Sequence, residues 1–128
     1  MNIINAVSGT GITQTADGSG QIKLQANGVT TNALAWVNFN GVTTVTIRSS
    51  YNVSSVVRNS TGVYTINFSN AMSDANYCIT GTAGINTSTT NSYPVNPLSY
   101  STGSCQFDHR EAGSQADSTY LNIAIFGN

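Results

Sequence analysis

Two stretches of this chain are apolar on both faces of an extended backbone. One is Ala35-Trp36-Val37-Asn38-Phe39-Asn40-Gly41; the other is Tyr120-Leu121-Asn122-Ile123-Ala124-Ile125-Phe126-Gly127. Neighbouring side chains of a strand point to opposite faces, so a half-exposed strand alternates apolar with polar residues. From 120 to 126 only Asn122 breaks the apolar run. Leu121, Ile123 and Ile125 fall on one face; Tyr120, Ala124 and Phe126 fall on the other. A small antiparallel domain has one core and normally buries one face of each sheet. The second face calls for another layer, and a further copy of the same chain supplies it most economically.

The rest of the chain reads as short strands. No window places apolar residues at i, i+3, i+4 and i+7 over a helical length, and β-branched residues dominate. Strands are predicted near 21–26, 33–39, 43–49, 53–58, 63–69, 76–82, 99–107 and 118–126. Turn signals separate them at Asn27-Gly28, Asn40-Gly41, Ser60-Thr61-Gly62, Ser73-Asp74-Ala75-Asn76 and Ser101-Thr102-Gly103. This spacing predicts an all-β fold, an antiparallel β-sandwich of jelly-roll-like type. Residues 1–32 are a Gly-rich lead-in with one clear strand, in which Ile22, Leu24 and Ala26 share a face. Residues 33–128 form the sandwich domain. Segments 84–98 and 108–118 are polar and rich in turn formers, and are predicted to be long loops of the kind that often carry function.

Composition adds to the case for association. Only 7% of the residues are charged, against about 25% in ordinary globular proteins. Ser, Thr, Asn and Gly fill their place, supplying about half the chain. Little like-charge repulsion keeps such surfaces apart. A net charge of −1 with 39% apolar residues in strand-length blocks is not the composition of a disordered chain. The four basic residues, Lys23, Arg48, Arg58 and Arg110, are too few and too scattered to neutralise many phosphates, which argues against a nucleic-acid partner. No apolar run approaches the ~20 residues of a membrane-spanning helix, so no membrane insertion is expected.

The motifs Ala-Trp-Val-Asn-Phe-Asn-Gly at 35–41, Thr-Ile-Arg-Ser-Ser-Tyr-Asn-Val-Ser-Ser-Val at 46–56 and Gly-Val-Tyr-Thr-Ile-Asn-Phe at 62–68 carry a resemblance. So do Met-Ser-Asp-Ala-Asn-Tyr at 72–77 and the Ile-Ala-Ile-Phe-Gly-Asn ending. Together, in this order, they resemble the C-terminal tip domain of bacteriophage tail-fibre proteins over residues 34–128. The resemblance implies a homotrimeric, β-rich, receptor-binding tip in the virion, made in the host cytoplasm, that binds a host surface polysaccharide or outer-membrane protein without catalysis. A structural trimerisation or decoration module, or a glycan depolymerase fragment, are the rival readings. The lead-in would then be the end of the fibre shaft. The segments between about 84 and 118 match no part of the pattern, so specificity is expected there.

Within those segments Tyr93 and Tyr100, flanking Pro94 and Pro97, are candidate contacts for sugar or protein, because an aromatic ring offers a rigid apolar face and Tyr adds a hydroxyl. The alternative is that they close the edge of the core. Asp108-His109-Arg110-Glu111 concentrates charge, and His109 and Arg110 are candidate receptor contacts, with Arg110 suited to carboxylate or phosphate; a solvated loop is the plainer alternative. Trp36, Tyr120 and Phe126 are candidate subunit-interface residues, with core the alternative for Trp36.

No catalytic residues are expected. Glycoside hydrolysis needs two carboxylates flanking the bond, and the chain has only Asp17, Asp74, Asp108, Glu111 and Asp117. His109 stands without a nucleophile-elbow motif, and a lone His argues against a zinc site; no cofactor is expected. Cys78 and Cys105 are no disulfide framework. Two buried free thiols are the expectation, with a disulfide between neighbouring strands as the alternative.

Overall fold

The computed structural model describes residues 24–85 and 88–127. Every regular element among them is a strand. In chain order they are β1 (Gln25–Ala26), β2 (Val29–Thr30), β3 (Ala35–Asn40), β4 (Thr46–Tyr51), β5 (Val53–Ser60), β6 (Val63–Phe68), β7 (Cys78–Ile85), β8 (Ser88–Tyr100), β9 (Ser104–Glu111), β10 (Ser114–Gln115) and β11 (Tyr120–Phe126).

Among the described residues β1 and β2 pair only with each other, around Asn27-Gly28. Both turn residues have positive φ (51° and 79°), the conformation of the two-residue turn that matches strand twist. The other strands form one antiparallel path, β4-β3-β11-β7-β8-β9-β6-β5, with the short β10 attached to β9. The path is rolled into a nearly closed, barrel-like sheet. All-β, antiparallel architecture is as the sequence predicts, but the layers are one continuous path rather than two separate sheets.

Two corners roll the sheet. At the first, β4 and β5 lie at opposite ends of the path yet are joined by the single residue Asn52, whose φ is 54°. Asn tolerates this left-handed backbone better than most residues. Its buried side chain donates to the carbonyls of Leu34 and Asn70 (both 3.1 Å) and accepts from the Asn70 amide (2.8 Å), tying the corner to β3 and to the chain after β6. At the second, β8 changes partners along its length. Residues 88–94 pair with β7 and residues 95–100 with β9, so the strand bends from one side of the barrel to the other. Such corners are how a strand passes between crossed layers.

The bend also explains why 84–98 is not the loop the sequence suggests. Proline weakens a strand prediction because it lacks an amide donor. Pro94 pairs with Thr82 of β7 and Pro97 with Phe107 of β9, and each half of β8 has a ladder partner on one side only. The missing donors therefore need interrupt no ladder. The predicted 108–118 loop is likewise mostly strand, with β9 running through Glu111 and turning back as β10 at Ala112-Gly113, both at positive φ.

The core is filled by Leu34, Val37 and Phe39 of β3 and its approach, Tyr64, Ile66 and Phe68 of β6, Cys105 and Phe107 of β9, and Leu121, Ile123 and Ile125 of β11. Phe39, Tyr64 and Phe107 form an aromatic cluster with centroids 5.3–6.4 Å apart, Phe39 edge-on to the other two rings. The alternation predicted for 120–126 holds: Leu121, Ile123 and Ile125 are buried, while Tyr120 and Phe126 are exposed.

Candidate functional site

The outward face of β3, β11 and β7 is built from the residues that the alternation turns away from the core. Register aligns them in rows across the sheet. One row runs Trp36–Ala124–Thr80 and the next Asn38–Asn122–Thr82. Trp36, Tyr120 and Phe126, the predicted interface residues, all belong to this face and are 39%, 48% and 38% exposed. Trp36 is therefore not a core residue.

Between Trp36 and the two threonines the face is recessed. A groove of about 380 Å³ is lined by Trp36, Asn38, Thr80, Thr82, Asn122 and Ala124, with Val37, Gly81 and Ile123 beneath. Small residues make the depression, because Ala124 is the only side chain between the indole and Thr80 along its row. Gly81 has no room for more: a Cβ there would sit 2.7 Å from Ile123 Cδ1 and press on the Asn122 carbonyl. Asn38 Nδ2 donates a short hydrogen bond to Asn122 Oδ1. This leaves Asn38 Oδ1 and the Asn122 amide N–H groups without a partner among the described residues, and the Thr80 and Thr82 hydroxyls likewise. None of the lining residues is charged. At the far end of the face Arg48 lies over the Tyr120 ring, 4.9 Å from its centroid, and donates to the Thr119 carbonyl (2.7 Å).

On the opposite outward face, on β5, β6 and β9, side chains also bond to one another. Asn67 donates to Ser55 (3.0 Å), Thr65 to Asn59 (2.8 Å) and Gln106 to Thr65 (3.3 Å). At its end Asp108 is 1% exposed beneath donors from Asn96 (2.9 Å), Arg110 (2.8 Å) and Gln115 (3.3 Å). Burial would raise its carboxyl, but these hydrogen bonds outweigh it and hold the group below the usual carboxylate range.

The predicted receptor contacts do not come together as one patch. Arg110 is half exposed, though its Nε is held on Asp108. Tyr100 is exposed and packs on Tyr77 at 5.4 Å between centroids. Tyr93 is half-buried, 6.1 Å from the imidazole of His109. His109 itself is fully buried on the inward side of β9, not presented at the surface. Its Nδ1 lies 2.7 Å from the Ala116 carbonyl, and its Nε2 faces Glu111 Oε1 at 3.9 Å with no hydrogen bond among the described residues. The inward phase of β9, shared with Cys105 and Phe107, places it there; reading 108–118 as a loop hid that phase.

A second charged cluster was missed by sequence reasoning. Asp117 takes a two-pronged ion pair from Arg58 (2.7–3.0 Å), the Tyr64 hydroxyl (2.8 Å) and the Gly62 amide (2.9 Å). It pins the chain before β11 onto the β5–β6 turn. The partners lie more than fifty residues away in sequence, so no local motif marks them.

Cys78 and Cys105 are both free, but only Cys105 is buried; Cys78 is exposed beside Phe126, and β8 separates their two strands. Among the described residues no group of three or more His, Cys, Asp or Glu side chains could hold a metal ion. No helix among them is long and apolar enough to cross a membrane. Comparison with protein-family models, with curated proteins and with solved structures finds no match.

Proposed function

We propose that this chain is the non-catalytic, receptor-binding tip of a bacteriophage tail fibre and acts at the virion surface as a homotrimer. The observation that carries this reading is the outward face of β3, β11 and β7, where the exposed Trp36 walls an uncharged groove with free hydrogen-bonding groups. Recessed sites lined by apolar and aromatic groups with a few polar ones are the usual form of a binding site.

Contact between copies is assigned to the hairpin end of the same side. There Leu24 and Val29 are each 57% exposed, and Val29, Cys78 and Phe126 line a second recess. Exposed apolar side chains on a hairpin that pairs with no other strand among the described residues favour a neighbouring chain as cover. Of the three residues proposed for the interface from sequence, Phe126 keeps that role, while Trp36 and Tyr120 border the open face. Three rigidly held copies of a weak site bind a repetitive surface far more tightly than one.

The test is competition. Purified chain added in excess to host cells is expected to block adsorption of phage that carry it. A chain that serves only to trimerise the fibre would leave adsorption unchanged and would sink this reading.

A further inference from the structure

We infer that the groove on the outward face of β3, β11 and β7 binds an uncharged, hydroxyl-rich glycan laid against the Trp36 ring. The inference rests on the receptor-binding reading and names the ligand class of that site. A pyranose ring has an apolar face of C–H groups and an edge of hydroxyls that both donate and accept. Trp36, 39% exposed at the wall of the groove, provides the flat apolar platform.

The polar row beside it supplies the complement for the hydroxyls. The Asn38–Asn122 hydrogen bond fixes both amide planes, leaving an acceptor on Asn38 and donors on Asn122 turned to the same side of the sheet. Thr82 continues that row and Thr80 the one beside it, each with a hydroxyl that bonds to nothing among the described residues. A hydroxyl edge can take up these groups in alternation, since it offers donors and acceptors at close intervals.

Charge decides against acidic ligands. No cation lines the groove, and the nearest arginine on this face, Arg48, is held by the Thr119 carbonyl and the Tyr120 ring. A carboxylate or phosphate entering here would lose hydration without gaining a counter-charge. The exposed lining is mostly apolar, which suits the C–H face of a sugar ring, while the amides and hydroxyls beside it would go unpaired against a purely apolar ligand.

Trp36 is the only tryptophan of the chain, so its fluorescence reports on this groove alone. The purified oligomer is screened on an array of neutral and acidic bacterial polysaccharides, and the strongest neutral binder is titrated while Trp36 emission is followed. The expected result is a saturable change of emission with the neutral glycan and none with acidic ones. Asn122→Ala and Thr82→Val should each weaken the affinity about tenfold or more, consistent with the loss of a hydrogen bond in a site built to make it. Circular dichroism and an unchanged oligomer mass verify that the variants fold.

Binding confined to acidic glycans, or an array silent for neutral ones, overturns the inference. So does a Trp36 shielded from acrylamide in the free oligomer, which would make this face a contact between copies. Should the neutral screen fail while the chain still blocks phage adsorption, the glycan inference falls and the tip reading stands. Glycan binding without any block of adsorption would do the opposite: the groove would be a glycan site and the tip reading would fall.

Discussion

At the scale of single residues, the ionisable groups that matter are those whose burial is offset by specific partners. Burial alone would raise the Asp117 carboxyl, but donors from Arg58, Gly62 and Tyr64 overcome this and hold it below the usual carboxylate range. A depressed carboxylate contributes stability that is fully present above its unfolded pKa of about 3.9 and is lost as pH falls through the folded value. Urea unfolding measured from pH 7 downwards should therefore show stability falling only below about pH 4, with Asp108 acting in the same direction. Asp117→Asn should cost about 1–2 kcal/mol at pH 7, since the amide keeps some of the hydrogen bonds, and should flatten the acid limb. An acid limb unchanged in the variant would show that Asp117 is not its source. The alkaline side follows the opposite sign. Burial, with the nearby Cys105 thiol second, pushes the Tyr77 hydroxyl up to about 12, and burial pushes the Cys105 thiol up to about 12 as well. Groups whose pKa is raised in the fold contribute stability that is present below their unfolded values and lost as pH rises through the folded ones. Stability should thus decline from about pH 9 towards 12. The two thiols give a direct check on placement: Cys105 should resist maleimide until the chain unfolds, whereas Cys78 should react in a dissociated but folded chain and be slowed where copies cover the hairpin end.

At the scale of elements, the two corners make the barrel, and they differ in how much the chain announces them. Asn52 holds a left-handed backbone and three hydrogen bonds at the β4–β5 junction. Asn52→Ala should lose both, a cost of about 2–4 kcal/mol, whereas Asn52→Gly keeps the backbone freedom and should cost less by about 1 kcal/mol. Equal losses for the two variants in chemical denaturation would mean that the backbone conformation contributes nothing. Sequence patterning located most strands because their inward residues alternate, as in β3, β6 and β11. It also foresaw the two-faced character of β3 and β11, though it read the second face as one covered by a further copy of the chain. It failed at β8, where Ser, Thr, Asn and two prolines imitate a loop. The reason is physical: a strand that pairs on one side per half tolerates proline, and no local pattern tells that a strand will bend. The same error concealed His109, whose inward position follows from the phase of β9. The groove could not be read either, since it arises from register: Trp36, Ala124 and Thr80 are brought side by side from three strands, and only the pairing of β11 with both neighbours aligns them.

At the scale of the whole molecule, the distribution of exposed apolar side chains argues for two separate surfaces with different duties. Leu24, Val29 and Phe126 gather at the hairpin end, whereas Trp36 and Tyr120 stand along the face that carries the amide row. If the first set holds copies together and the second binds ligand, then the two properties are separable by mutation. Val29→Ser with Phe126→Ser leaves the buried faces of the barrel untouched, because both side chains are exposed. The double variant should stay folded by circular dichroism, yet its mass by light scattering should fall from three times 13.4 kDa to a single chain. Its affinity for a soluble monovalent ligand should be unchanged, because the groove residues are intact. Binding to whole cells should drop by about two orders of magnitude or more, the scale on which linked sites exceed single ones. Trp36→Ser should do the reverse, keeping the mass of the oligomer and losing the ligand. A Trp36→Ser chain that becomes monomeric would place the assembly contact on the groove itself and unite the two surfaces into one. A wild-type chain that is already a stable monomer would remove the argument from avidity, leaving each groove to bind alone.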